Sequence, residues 1–489
     1  MEGRDVVEPI PVPKNVCGLL CAIAYGWTPA PMVLGDVEQL QYNGVDLSED
    51  AQDLRLQENR LMVTLGGMAP DRLMPFALDG QLEGTLAGGA RFHGDMVLRM
   101  GRSFSSSREE GTRRLVTIEA GLWTVLDGDA PSLWIGRIDG SIKINFSGNM
   151  IVERIASDGP RLGARRHFIL AGAYAYYLVQ CRTRDDAIWH LVIDTGGAGV
   201  PQLEILGRDF LALQFVLGRH LRMPELLGVS TDRRTIASTL GCTPRKNLEE
   251  HPFPPVPIEQ DNEKWIDMSW AAVFFERVST AWRARLESQD AFWRALEMYL
   301  GAMSNHLDED YMRLQVALEA FAYWLLQHEN HGEREDVKDK EEWKKWVKHN
   351  RDDIRAFAVE GREDALYQKV MTAYRFSSGK VVPSAFAAKG LALTQEMANE
   401  LKGRDTVVHQ GLMAPNGYEV ERDLRRVALV RTMLIALIAK AADYCGAIRG
   451  WDVGSQGHPI EAPSGWWSVS ENDRQLAAKT HIAEETVSV

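Results

Sequence analysis

Two hydrophobic periods divide the chain. From the N-terminus to about residue 200, apolar positions alternate with polar ones or run unbroken over strand lengths. Examples are Arg114-Leu-Val-Thr-Ile-Glu, Ser141-Ile-Lys-Ile-Asn-Phe and His190-Leu-Val-Ile-Asp, with turns marked at Asp127-Gly128 and Asp139-Gly140. A period of two bounded by glycine predicts antiparallel strands closed into a sandwich or barrel. The apolar run from Val16 to Trp27 reads as a buried first strand. A secretory segment would follow basic residues, whereas Asp5 and Glu8 precede this one. The period then changes: Asp209-Phe210-Leu211-Ala212-Leu213-Gln214-Phe215-Val216-Leu217 predicts a buried helix that closes the first domain.

Prolines at 244, 252, 254, 255 and 257 make the stretch from Thr243 to Asn262 too proline-dense for a helix or a central strand. It reads as a linker. Beyond it the period is helical, with segments expected near 265–301, 309–330, 335–359, 363–376, 384–402 and 419–446. Gly361 is read as a stop before the fourth and Pro383-Ser384 as the start of the fifth. The expected organisation is multidomain α+β. A β-rich domain over 1–242 is followed by a linker over 243–262, an all-α bundle over 263–450 and a Gly/Ser/Pro-rich tail over 451–489.

Composition narrows the function classes. With 45% hydrophobic and 25% charged residues, a chain of 489 residues can bury a core in each half. A net charge of -13 excludes a protein that coats nucleic acid by bulk electrostatics, so any nucleic acid must meet a local site. Cys17, Cys21, Cys181, Cys242 and Cys445 form no CxxC pair, and reduced core thiols in a cytoplasmic protein are expected, with no metal and no cofactor. The apolar stretch Val427 to Ala442 contains Arg431 and Lys440 and is shorter than the roughly 20 residues a bilayer span needs, so no membrane span is expected.

The segment Gly403-Arg404-Asp405-Thr406-Val407-Val408-His409-Gln410-Gly411 lies between two helical patterns. If it continues a helix, Arg404 and His409 stand about 140° apart round the axis, and Val407 and Val408 face a core. Arginine offers a permanently charged fork for phosphate. Histidine, with an unperturbed pKa of about 6.5, gives and takes a proton near neutrality. Spacing alone carries nothing, since Arg161/His167, Arg184/His190, Arg245/His251 and Arg474/His481 are similarly placed. Context distinguishes the Arg404 copy: a polar residue after the arginine, an apolar pair before the histidine, and a helical neighbourhood.

Arg404-Asp405-Thr406-Val407-Val408-His409 resembles the Rx4-6H signature of HEPN domains, in which a polar residue, most often Asn, follows the arginine. Asp405 occupies that place. The layout is similar to that of ApeA-type abortive-infection proteins, which join a β-rich N-terminal domain to a C-terminal HEPN domain. The resemblance implies a homodimer whose facing motifs form one cleft, and a metal-independent cut of RNA by its own 2′-hydroxyl. His409 would move protons and Arg404 would stabilise charge on the phosphate, with Asp405 orienting Arg404 or capping the local helix. Glu319, inside the apolar run Leu318-Glu319-Ala320-Phe321, is expected either to pair with Arg404 or to face solvent. The N-terminal domain is expected to restrain the nuclease until it meets a phage-derived trigger. The alternative is a HEPN-like scaffold or ligand-binding protein without catalysis.

Other features have plainer readings. His328 and His331 are expected to be exposed, and Asp308-Glu309-Asp310 to open a helix, where carboxylates complement the dipole. Lys338 to Lys348, with Trp343 and Trp346 among Asp339, Glu341 and Glu342, reads as a solvated helix face. Gly196-Gly197-Ala198-Gly199 reads as a turn with no helix after it, and Trp123, Trp134 and Trp189 as core.

Overall fold

In a computed structural model of the chain, the structure describes residues 13–24, 26–49, 51–57, 60–65, 79–97, 116–139, 150–155, 159–164, 167–182, 187–239, 254–256, 268–283, 290–302, 306–328, 339–371, 378–410, 419–451, 459–461 and 475. The fold is α+β, with a large antiparallel sheet in the N-terminal part and helices in the C-terminal part. Two compact units are resolved. The first comprises Met1–Phe210, His220–Glu249 and Gln475–Val489, and the second Leu211–Arg219 and Glu250–Arg474.

The first unit opens with helix α1 (Lys14–Ala24). Strands β1 (Val37–Tyr42), β2 (Val45–Asp46), β3 (Ala51–Gln57), β4 (Arg60–Leu65), β5 (Asp79–Leu86), β6 (Arg91–Val97), β7 (Val116–Leu126) and β8 (Leu133–Ile138) follow. A separate hairpin, β9 (Met150–Ile155) and β10 (Gly159–Ala164), precedes β11 (His167–Ala171), β12 (Ala175–Arg182) and β13 (Ala187–Asp194). Helix α2 (Leu203–Leu217) comes next, then β14 (Leu226–Val229) and β15 (Thr235–Thr239). The main sheet runs β11-β12-β13-β8-β14-β15-β7-β6-β5-β1-β2, with β4 on the first half of β7 and β3 on β4.

The strands from β1 to β7 curl round an apolar interior. Leu54 N donates to Gly35 O at 3.0 Å, which brings β3 back beside the start of β1. Alternation along the strands sends Leu40, Tyr42, Val63, Leu82, Phe92, Trp123 and Val125 inward, while Gln39, Gln41, Glu83, Arg91 and His93 remain exposed. Gly84 is required here, because a Cβ would lie 2.0 Å from Gln39 O and 2.7 Å from the Phe92 ring. Strands β8, β12, β13 and β14 contribute to a second packed face, covered by α1.

Helix α1 corrects the expectation of a first strand at Val16 to Trp27. Val16, Leu19, Leu20 and Ile23 repeat at helical spacing and are buried against Leu133, Ile135, Tyr177, Val179 and Val192. A second correction concerns Gly196–Gly199. Helix α2 does open after this loop, whose glycines at 196, 197 and 199 take positive φ. Trp134 Nε1 donates to Gly199 O at 3.0 Å and Asp194 accepts from Gly196 N at 2.8 Å, so the loop is closed on its own unit. Trp123, Trp134 and Trp189 are core residues, at most 1% exposed.

The second unit contains α3 (Met268–Arg283), α4 (Asp290–Gly301), α5 (Leu307–His328), α6 (Lys340–His349), α7 (Arg351–Ala356), α8 (Glu363–Met371), α9 (Ser378–Ala388), α10 (Gln395–Gln410) and α11 (Val420–Ala441). A short hairpin, β16 (Arg449–Trp451) with β17 (Pro459–Glu461), follows. Helix α11, the apolar stretch from Val427, packs on α5 and buries Val430, Met433, Leu434, Ile435, Leu437 and Ile438. Among the described residues no helix is long and apolar enough to cross a membrane. The C-terminal half of α2 belongs to this unit, where the Phe215 ring meets Phe274 at 5.6 Å and Tyr299 at 4.9 Å.

Two details differ from the sequence reading. Pro383 lies inside α9 rather than at its start, and the expected helix at 384–402 is split by Gly390 at φ +66°. Within the proline-rich stretch, Pro254, Pro255 and Val256 are buried, and Pro255 O accepts from Arg449 N at 2.8 Å.

Candidate active site on helix α10

Helix α10 runs without a break through the Arg-His segment, so Arg404, Asp405 and His409 occupy one continuous helix in a largely helical unit. Side chains from 403 to 410 lie outside the described residues. The helix backbone puts positions 404 and 409 about 140° apart round the axis. Glu319 stands on α5 and is half-buried in its apolar helix. Of its two expected placements, full exposure to solvent does not hold, and pairing with Arg404 lies outside the described residues.

What the structure adds is the surroundings of α10. A groove of about 330 Å³ runs between α10 and α11, lined by Glu396, Asn399, Glu400, Arg422, Arg425, Arg426 and Leu429. Its arginines are matched by carboxylates. Arg425 reaches Glu396 at 2.9 Å, Arg422 reaches Glu419 and Asp423 at 3.2 Å each, and Arg426 reaches Glu400 at 2.9 Å. Four carboxylates face three guanidinium groups, so this groove by itself does not attract phosphate.

The Glu400 pair is the buried one. Its carboxylate side chain is 10% exposed, and besides Arg426 it accepts a short hydrogen bond from the hydroxyl of the fully buried Tyr311. Gln315 Nε2 donates to the same hydroxyl at 3.0 Å, and the Arg426 guanidinium lies 5.0 Å over the Tyr311 ring. Burial, and then the Glu400 charge, pushes the Tyr311 hydroxyl well above the usual tyrosine range, so it remains a donor. Burial opposes the Arg426 charge, but Glu400 and Tyr311 outweigh it and hold the group above its ordinary value. Breaking this part-buried pair costs more than the about 0–1 kcal/mol of the exposed pairs beside it, because less water is at hand to replace each partner.

A second polar cluster lies deeper in the same unit. Arg431 is 2% exposed, donates to Ala302 O at 2.6 Å and lies over the Tyr299 ring at 5.7 Å. Burial depresses its pKa, against the opposing pull of Tyr299 and Asp310. Burial also lowers Arg449 to about 10 and raises Tyr299 to about 12.

None of Tyr311, Glu400 or Arg426 stands out in the sequence, and Arg431 does so only as a charge within the apolar stretch from Val427. The available signal was the run Glu396, Glu400 on one helix and Arg422, Arg425, Arg426 on the next, opposite charges at helical spacing on either side of the motif.

The remaining sequence features fall as follows. Asp308-Glu309-Asp310 opens α5, and His328 is exposed on its last turn, 5.2 Å from the Trp324 ring; His331 lies outside the described residues. Trp343 and Trp346 stack at 5.2 Å on α6, where Trp343 Nε1 donates to Val370 O and Trp346 is 51% exposed. The first unit carries an open groove of about 420 Å³ on its outer strand face, lined by Gln39, Gln41, Glu83, Thr85, Arg91 and His93 among others. Comparison with family models, curated proteins and solved structures finds no match.

Proposed function

We propose that the chain is a metal-independent endoribonuclease of the HEPN type, acting in the cytoplasm as an ApeA-type abortive-infection effector. The observation that supports this reading is the unbroken helix α10 through Arg404 and His409, in a unit built mainly of helices. In this reading the substrate's 2′-hydroxyl attacks the adjacent phosphorus and the 5′-oxygen leaves, giving a cyclic phosphate end. His409 moves the proton and Arg404 stabilises the charge gathering on the phosphoryl oxygens. Asp405 orients Arg404; it does not cap a helix, because position 405 lies in the interior of α10. Two chains pair through the helical unit to complete the cleft, and the β-rich unit meets a phage-derived trigger.

The test is cleavage of single-stranded RNA by the full chain in the presence of a chelator, compared with Arg404→Ala and His409→Ala. Each variant is expected to lose at least about 100-fold in rate with an unchanged thermal unfolding profile. RNA cleavage by a folded His409→Ala chain at the parental rate would refute the proposal, and a parent that leaves RNA intact both alone and with an extract of phage-infected cells would favour the scaffold reading.

A further inference from the structure

Helix α10 is thinly anchored where the candidate site begins. Over residues 395–402, Met397 is the one fully buried side chain among those described; the others are half-buried or exposed. Over residues 395–402 apolar burial is confined to Met397 and the half-buried Ala398 and Leu401, and such contacts do little to fix rotation, because the hydrophobic effect is non-directional. Directional bonds are supplied at Glu400. Its carboxylate is gripped from α5 by the Tyr311 hydroxyl and from α11 by Arg426, whose Nε lies 2.9 and 3.1 Å from the two oxygens. Both partners are themselves fixed, Tyr311 by Gln315 and full burial, Arg426 by the ring beneath it.

Position 404 follows 400 by one helical turn and lies about 40° round the axis. Residues four apart share a face, so whatever sets the rotation at 400 sets it at 404. We infer that Glu400, held by Tyr311 and Arg426, is a positioning residue that fixes the rotation of α10 at the turn carrying Arg404. The inference rests on the ribonuclease reading for its consequence in catalysis, and on the hydrogen-bond geometry alone for its consequence in structure.

Both consequences are measurable on the full chain. Glu400→Gln keeps the shape of the side chain and removes its charge; Tyr311→Phe removes a single hydroxyl. Either is expected to lower kcat for RNA cleavage about 10- to 100-fold with KM within about twofold, as misplacement of a catalytic group does. Hydrogen exchange at amides 401–410 should quicken about tenfold, while amides 430–439 of α11 stay protected. Exchanging the charges, Glu400→Arg with Arg426→Glu, should recover part of kcat and part of the slow exchange at 401–410 together. A parent that cleaves no RNA even with an extract of phage-infected cells removes the ribonuclease reading, yet the exchange measurement still decides the anchoring. Parental kcat and parental exchange in folded Glu400→Gln overturn the inference. So does global unfolding of both single variants, since the network would then hold the whole unit rather than one helix.

Discussion

Lowering the pH should destabilise the first unit through a single buried side chain. His190, on β13, is 2% exposed, and among the described residues its Nδ1 has no hydrogen-bond partner. Arg137 lies directly across the β13–β8 ladder, itself paired with Asp139 at 3.2 Å. Burial first, and the Arg137 charge second, hold the imidazole neutral and bring its pKa down to about 4 from 6.5. In the unfolded chain the ring protonates near 6.5, so between the two values the unfolded state binds the extra proton. Stability from this group is complete above about pH 6.5 and is lost as pH falls towards 4. The fall from 6.5 to about 4 corresponds to about 3 kcal/mol.

The perturbation is His190→Leu, which removes the titration while keeping an apolar group in the site. Because other groups titrate too, the informative quantity is the stability difference between wild type and variant at each pH. Urea unfolding at pH 7.5, 6.0, 5.0 and 4.2, followed by hydrogen exchange of the β8, β12 and β13 amides, confines the reading to this unit. Wild type should lose about 3 kcal/mol relative to the leucine variant on going from pH 7.5 to 4.2. A difference that stays constant within about 0.5 kcal/mol over this range would refute the account of His190 as a neutral buried base.

Two further substitutions test the packing. Gly84→Ala drives a methyl group against Gln39 O, a backbone atom that cannot step aside, and should cost about 3 kcal/mol by urea unfolding; a cost under about 1 kcal/mol would mean that β1 and β5 separate easily. Asp209→Asn weakens the bonds its carboxylate accepts from Tyr176 OH at 2.6 Å and Ala173 N at 2.9 Å. A loss of about 1–3 kcal/mol is expected, and a double-mutant cycle with Tyr176→Phe should show coupling between the two.

The helical half was legible because its signals are local: period, caps and charge at element ends. The helix at Asp209 to Leu217 and the opening of α5 at Asp308-Glu309-Asp310 were visible for the same reason. Helix α1 was misread because eleven apolar-rich residues satisfy strand and helix alike, and only the spacing of Val16, Leu19, Leu20 and Ile23 separates them. Strands β14 and β15 escaped because Leu226–Val229 is buried on both faces and shows no alternation. The Glu400 network was invisible for a deeper reason. Tyr311 lies 89 residues from Glu400 in the chain and Arg426 lies 115 from Tyr311, so no local pattern joins them.

The position of the β14–β15 hairpin has a consequence for biosynthesis. It sits between β8 and β7, joining the strands β11-β12-β13-β8 to β7-β6-β5-β1, yet it is the last part of the sheet to be translated. Until residue 239 has left the ribosome, β8 and the second half of β7 each present an unpaired strand edge, with Trp134, Ile135 and Val125 beside it. Exposed edges of this kind recruit other chains. A message truncated before Leu226 would therefore yield two incomplete sheets prone to aggregate, rather than a smaller version of the same unit.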